Sequence, residues 1–219
     1  MDNIISMAGE ILKSFNQTFL MLGISLTASI IFGLPLGMIL YLTEKKTFFK
    51  NKFINFTGGF VINIIRSTPF VILLVLLIPF TNIVAGTTIG PLAASVPLSV
   101  AAIAFFARLV HGALVEVDRG VIEAATAAGA PTFMIIKEVL IPEAMPGLLR
   151  GLTVTAVSLV GYSAMAGIVG GGGVGDLAIR YGYYRYQTDI MIVTVVILIV
   201  LVQILQSAGD FIADKADKK

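Results

Sequence analysis

This chain has no cysteine, no tryptophan, a single histidine and only 13% charged residues among its 219. Without cysteine there are no disulfides and no thiolate metal sites. Without tryptophan, any aromatic belt at a membrane surface falls to its 6 Tyr and 14 Phe. Charge is about half the ~25% usual in soluble domains, which leaves too little polar surface to cover a soluble fold. The net charge of +2 is near neutral and the basic residues form no single patch, which disfavours nucleic acid as a partner. What is present instead is apolar: 57% hydrophobic residues, with a mean hydropathy of +0.96. This is the composition of a polytopic membrane protein.

The first 17 residues carry Asp2 and Glu10 but only Lys13 as a basic side chain. A cleavable signal has a basic start and a short apolar core, so the first apolar run is expected to be a retained span. A bilayer core of ~30 Å takes about 20 helical residues. Charge-free runs then predict five spans, roughly 18–42, 58–80, 91–110, 152–170 and 189–209. Gly33, Pro35 and Gly37 interrupt the first, which neighbouring helices can repair. The expected fold is all-α, a single transmembrane domain over 1–219, with a polar loop at 111–150. Ile4, Ile5, Met7, Ala8, Ile11 and Leu12 suggest a short amphipathic helix ahead of the first span.

Basic residues set the orientation. Lys45, Lys46, Lys50 and Lys52 follow span one, Arg108, Arg119, Lys137 and Arg150 lie between spans three and four, and Lys215, Lys218 and Lys219 form the tail. Five spans place all three regions on one side, against Lys13, Arg180 and Arg185 on the other. The richer side is expected to be cytoplasmic, with the N-terminus outside and the C-terminus inside.

Within the 111–150 loop stands Glu123-Ala124-Ala125-Thr126-Ala127-Ala128-Gly129, followed by Val139-Leu140-Ile141-Pro142. The alanines permit close approach of another backbone. Glu123 is expected in the first turn, where it complements the helix dipole. Gly129 can close the helix in the left-handed conformation, with Pro131 preventing its continuation. A second helix is expected through Phe133, Ile136 and Leu140, broken by Pro142 and Pro146. On physics alone, an ordinary helical hairpin fits equally well.

The spacing resembles the EAA loop of ATP-binding-cassette importer permeases: Glu-Ala-Ala, three residues, Gly, nine residues, then Ile-x-Leu-Pro. Val139 and Ile141 depart from that pattern and keep its apolar character. The resemblance implies that Glu123, Ala124, Ala125, Gly129 and Pro142 belong to a coupling loop gripped by an ATPase subunit. Arg66-Ser67-Thr68-Pro69-Phe70, Tyr162–Gly167, Gly170–Asp176 and Ala178–Tyr183 resemble the methionine-importer permeases, which are five-span homodimers. The implied partners are a second copy, two ATPase subunits carrying ATP and Mg, an extracytoplasmic substrate-binding lipoprotein, and lipid of a bacterial inner membrane. The chain itself is expected to bind no cofactor and to perform no covalent chemistry.

Other residues carry two readings each. Arg66 is either a pathway residue facing substrate, or a side chain snorkelling to the cytoplasmic surface from a span that starts later. Thr155, Ser158 and Tyr162, with Ser163 and the apolar gate candidate Met165, either bond across helices or line a path at the dimer axis. Gly170–Asp176 lacks the Gly-Lys-Ser/Thr ending of a P-loop and is expected to be a flexible break. Tyr183, Tyr184 and Arg185, beside Tyr181 and Tyr186, are either interfacial anchors or an external docking edge. His111 is expected to be interfacial. An ATP-independent secondary transporter would need acids inside its spans, and none lies in the interior of those proposed, Asp189 standing at the first position of the fifth. A passive scaffold leaves the EAA spacing without a use.

Overall fold

The structure, a computed structural model, describes residues 7–44 and 47–217. Ile4, Ile5, Lys45, Lys46, Lys218 and Lys219 of the sequence reading lie outside the described residues. Every regular element among the described residues is helical: α1 (Ala8–Ala28), α2 (Leu34–Leu42), α3 (Lys52–Ser67), α4 (Phe70–Leu76), α5 (Ile78–Ala85), α6 (Pro91–Val115), α7 (Arg119–Ala127), α8 (Thr132–Met134), α9 (Ile141–Gly167), α10 (Gly173–Leu177) and α11 (Thr188–Ala216). Three π-helical segments, Ser29–Gly33, Ile135–Leu140 and Ala178–Tyr183, join or extend them.

Four helices are long and apolar enough to cross a bilayer: Ala8–Leu42, Pro91–Val115, Thr132–Gly167 and Thr188–Ala216. A fifth passage is a bent pair, α3 and α4, which meet at 107°. The span expected over 58–80 is thus not one continuous helix. Pro69 drives Thr68 out of the helical region (φ −82°, ψ 125°), because a proline ring clashes with a helical predecessor. The helices also exceed the expected spans. The first is continuous from Ala8, so Met7, Ala8, Ile11 and Leu12 form no separate surface helix. The 111–150 region is helical at both ends, leaving only α7 and its short flanks as connector.

Pro142 and Pro146 do not break the helix that enters α9. The run Thr132–Gly167 is unbroken, and Pro142 sits in the first turn of α9 just after a π segment. Pro35 sits in the first turn of α2 after the π segment Ser29–Gly33. A proline lacks its N–H and clashes with the carbonyl four residues back. A wide i→i+5 turn moves that carbonyl aside, so both prolines are absorbed without a break.

Helix α6 is the central post, in contact with α1, α2, α3, α4, α5 and α9. Its buried face is built from Ala93, Ala94, Ala101, Ala102, Ala104 and Ala107, small residues that let neighbours approach closely. Close approach is needed because lipid offers no hydrophobic drive for helices to associate. One core cluster joins Met21, Phe70, Leu98, Leu159 and Leu201; another joins Tyr41, Phe106, Val110, Leu140 and Leu148. Large apolar side chains on the far faces, among them Phe32, Ile83, Ile199 and Ile204, stay exposed to the surroundings, as lipid-facing positions do.

The contacts sort the bundle into two ends. At one end, Asn55 Nδ2 donates to the carbonyl of Leu40 (2.7 Å), His111 Nε2 lies 2.8 Å from Glu44 Oε1, and Arg150 Nη2 donates to Asp214 Oδ1 (3.3 Å). At the other end, Gly90 N–H donates to Gly170 O (2.9 Å), and the Gly173 and Val174 N–H groups donate to Gln17 Oε1 and Thr18 Oγ1 (2.9 and 3.0 Å). The chain passes between these ends five times.

Candidate functional site

Helix α7 projects from the first, charge-rich end. Asp118 caps it, its Oδ1 accepting from Gly120 N–H (2.8 Å). Capping by Asp118 starts the helix at Arg119, so Glu123 is its fifth residue and no acid occupies the first turn. The expected dipole role of Glu123 is thus corrected: Asp118 is the group at the helix N-terminus. At the other end Gly129 adopts φ +80°, and the Ala130 N–H reaches back to Ala125 O (3.1 Å), closing the helix as a glycine stop does. No residue of α7 is buried, and Glu123 and Ala124 are exposed. Ile122 is the residue by which this helix leans on the core, and its exposed alanines are available to another surface. Glu123 lines a cavity of about 290 Å³ with Arg119, Glu44, Tyr41 and Phe48, between α7 and the turn after α2. Pro142 lies apart from Glu123, in the first turn of α9.

Arg66 occupies the last turn of α3, before the bend. Its guanidinium carbon lies 5.8 Å from the Phe105 ring centroid. Phe105 is ten residues from the C-terminal end of α6, about 15 Å along its axis. Arg66 is exposed and lies toward the charge-rich end, since Phe105 is six residues, about 9 Å along the axis, from His111. A cation inside a span faces protein, water or ligand rather than lipid. The bend brings it to a cavity of about 110 Å³, shared with Thr68, Phe70, Phe105 and Tyr162. The Tyr162 ring stacks on Phe70, centroids 4.8 Å apart and 13° from parallel.

The polar residues of α9 divide between two faces. Thr155 and Ser163 are buried and bond back to their own helix, to Gly151 O and Val160 O, each at 2.8 Å. Helical spacing placed Thr155 with Ser158 and Tyr162, but packing buries it against the rest of the bundle. Val154, Ser158, Gly161, Met165 and Ile168 instead form a stripe with a three- and four-residue repeat that stays open; Met165 is 42% exposed, and a Cβ on Gly161 would meet nothing within 4 Å. Candidate pathway residues thus separate into an open set (Ser158, Met165), a bridging Tyr162, and a buried Ser163.

The glycine run is a break, as expected, but it is not loose. Gly170, Gly172 and Gly173 take positive φ, and a Cβ on Gly175 would collide with the Ala164 backbone. Gln17 and Thr18 of α1 satisfy the first amides of α10. Asp176, 9% exposed, accepts from Arg180 Nε at 2.7 Å. Sequence reading missed this buried acid and its partner, although their four-residue spacing was visible. Tyr183 and Tyr184 are exposed with rings 5.4 Å apart, and Arg185 lies over Tyr181 at 4.5 Å. These residues form a continuous aromatic and cationic edge at the glycine end.

Comparison with known proteins follows this geometry closely. The family described as binding-protein-dependent transport system inner membrane component matches residues 33–218. A Vibrio cholerae protein named a probable D-methionine transport system permease protein, MetI, is 51% identical over 203 residues, covering 93% of this chain and 90% of that one. The Bacillus subtilis methionine import system permease protein MetP is 47% identical over 181 residues, 83% and 82% of the two chains. Among solved structures, one from the inward-facing conformations of the MetNI methionine ABC transporter superposes with a TM-score of 0.94 at 42% identity, covering 97% of this chain and 99% of that one. An amino acid ABC transporter crystallised with histidines shares the fold at a TM-score of 0.80 and 19% identity. The chain belongs to the family of inner-membrane components of binding-protein-dependent transport systems.

Proposed function

We propose that this chain is the membrane-spanning subunit of an ATP-driven methionine importer. The observation that carries this is the combination of family membership with substantial identity to methionine permeases over nearly the whole chain. The chain is a pore subunit and not an enzyme; ATP and Mg are bound and used by partner ATPase subunits. Two copies form the translocation pathway, each contributing the open stripe of α9, and an extracytoplasmic binding lipoprotein delivers substrate to them. The charge-rich end faces the cytoplasm, with the N-terminus outside and the C-terminus inside a bacterial inner membrane.

In this reading, α7 is the coupling helix. ATP binding draws the two ATPase subunits together and carries both α7 helices with them. Its rigid closure at Gly129 and its lack of buried residues support the role, because motion must enter through a helix that a partner holds. Displacement of α7 passes to α6 and to the Thr132–Gly167 helix, which flank it in the chain. The spans then switch from inward-open to outward-open, substrate enters, and hydrolysis resets the path. Met165 on the open α9 face serves as an apolar gate, with Ser158 and Tyr162 beside it. Tyr183, Tyr184 and Arg185 supply the docking edge for the binding protein.

Ion coupling is disfavoured. Among the described residues the one buried acid, Asp176, is already held by Arg180 and lies at the bundle's end. The test is uptake of radiolabelled methionine into vesicles containing the permease, its ATPase and its binding protein. Uptake requires ATP and is unaffected by collapsing proton and sodium gradients. Uptake that follows an ion gradient and ignores ATP overturns the proposal.

A further inference from the structure

We infer that the α3–α4 bend carries a carboxylate-binding subsite anchored by Arg66. The inference rests on the importer reading and names the ligand chemistry of one point along its path. Arg66 is a cation on a bent, membrane-spanning passage, and its neighbour is the Phe105 ring rather than an acid. None of the ion pairs among the described residues involves it. Among the described residues of one copy, its charge has no acidic partner.

The cavity beside it has room for several waters or for one carboxylate end of a larger ligand. Thr68 already spends its hydroxyl proton on Ile64 O (2.9 Å), which leaves its oxygen able only to accept. The guanidinium is thus the principal donor in the cavity. A planar guanidinium matches a carboxylate with two parallel N–H donors. Stacked Phe70 and Tyr162 supply apolar walls of a kind that thioether side chains contact favourably. Tyr162 also belongs to α9, one turn from Ser158 and beside the open stripe that bears Met165. A ligand whose carboxylate engages Arg66 can therefore extend its side chain toward that stripe. An amino acid with an uncharged side chain and a free carboxylate satisfies both ends.

The bend is what makes this possible. A straight helix would carry Arg66 along the outside of α6, whereas the 107° turn opens space at Thr68 and brings Phe70 against Tyr162.

Two measurements on the complete reconstituted importer test the subsite. Wild-type uptake of methionine comes first; its absence would count against the importer reading, not the subsite. Given that uptake, Arg66→Gln lowers it about tenfold or more with basal ATPase activity retained, and Arg66→Lys recovers part of the loss. Arg66→Met keeps the aliphatic stem and loses the charge, and falls as far as Arg66→Gln. If Arg66 is merely packing, Arg66→Met keeps wild-type uptake, and the subsite is wrong. Uptake by Arg66→Gln equal to wild type also overturns it. The second measurement keeps Arg66 and serves if Arg66→Gln fails to assemble. The natural chain has no cysteine, so Thr68→Cys is its sole thiol. An anionic methanethiosulfonate reagent reacts there about fivefold faster than a cationic one, and methionine slows it. Equal rates for the two reagents, with no protection by methionine, overturn the proposal.

Discussion

Gly129→Pro is expected to abolish ATP-driven uptake while leaving the helical bundle assembled. Gly129 holds φ +80°, and proline fixes φ near −65°, so the closing turn of α7 cannot form. The substitution also removes the Gly129 N–H, which donates to Thr126 O at 3.0 Å. Damage stays local because no residue of α7 is buried and a Cβ at Gly129 meets no atom within 4 Å. The cost therefore falls on the shape of the connector and not on the core. Uptake should drop by about 100-fold or more, the scale on which misplaced functional geometry is felt. ATPase activity should persist and lose its response to loaded binding protein. Size-exclusion elution and thermal unfolding of the detergent-solubilised complex should match wild type. A variant that transports normally would show that α7 conveys no motion.

Gly37→Leu is expected to have the largest effect on stability. Gly37 lies where α2 crosses α6, and a Cβ there would stand 2.5 Å from Ala107 O and 2.6 Å from Val110 Cβ. Contacts this short with backbone cannot be relieved by rotating a side chain, so the two helices must separate. Overpacking costs typically 1–3 kcal/mol and occasionally more; a whole isobutyl group against backbone belongs at the upper end. Gly23, on the same long helix run, is the internal control, since a Cβ there meets nothing within 4 Å and the residue is exposed. Gly37→Leu should lower the unfolding temperature by several degrees or prevent assembly, whereas Gly23→Leu should leave it nearly unchanged. Equal shifts for the two variants would contradict the packing described for α2 and α6.

Much of this architecture was readable from hydropathy, because long charge-free runs have few alternatives to lipid-crossing helices. The stop at Gly129 and Pro131 was also legible, since a helix stop depends on adjacent residues. The start of α7 was misplaced by a turn because Asp118 is the better capping group, and Glu123 drew attention away from it. The bend at Thr68 had a local signal in Pro69 that hydropathy averaging hides. Pro142 misled for a different reason. Nothing in the neighbouring residues announces the π turn that absorbs it. Distant pairings had no signal: Gln17 and Thr18 hold amides 156 positions away, and Asp176 is buried only because α10 folds back on α9 and α1. Thr155 and Ser158 differ by three positions and lie side by side on α9, yet the first is buried and the second half-buried, and the position of neighbouring helices alone decides which is open.

Crosslinking from α7 tests the central claim most directly. Ala124→Cys places a unique thiol on an exposed turn of this helix in an otherwise cysteine-free chain. With the assembled importer in vesicles, a short thiol-reactive photocrosslinker there should capture the ATPase subunit, with a yield that changes on adding ATP. Full methionine uptake in a preparation where that position never captures a nucleotide hydrolase, in any nucleotide state, would contradict the account.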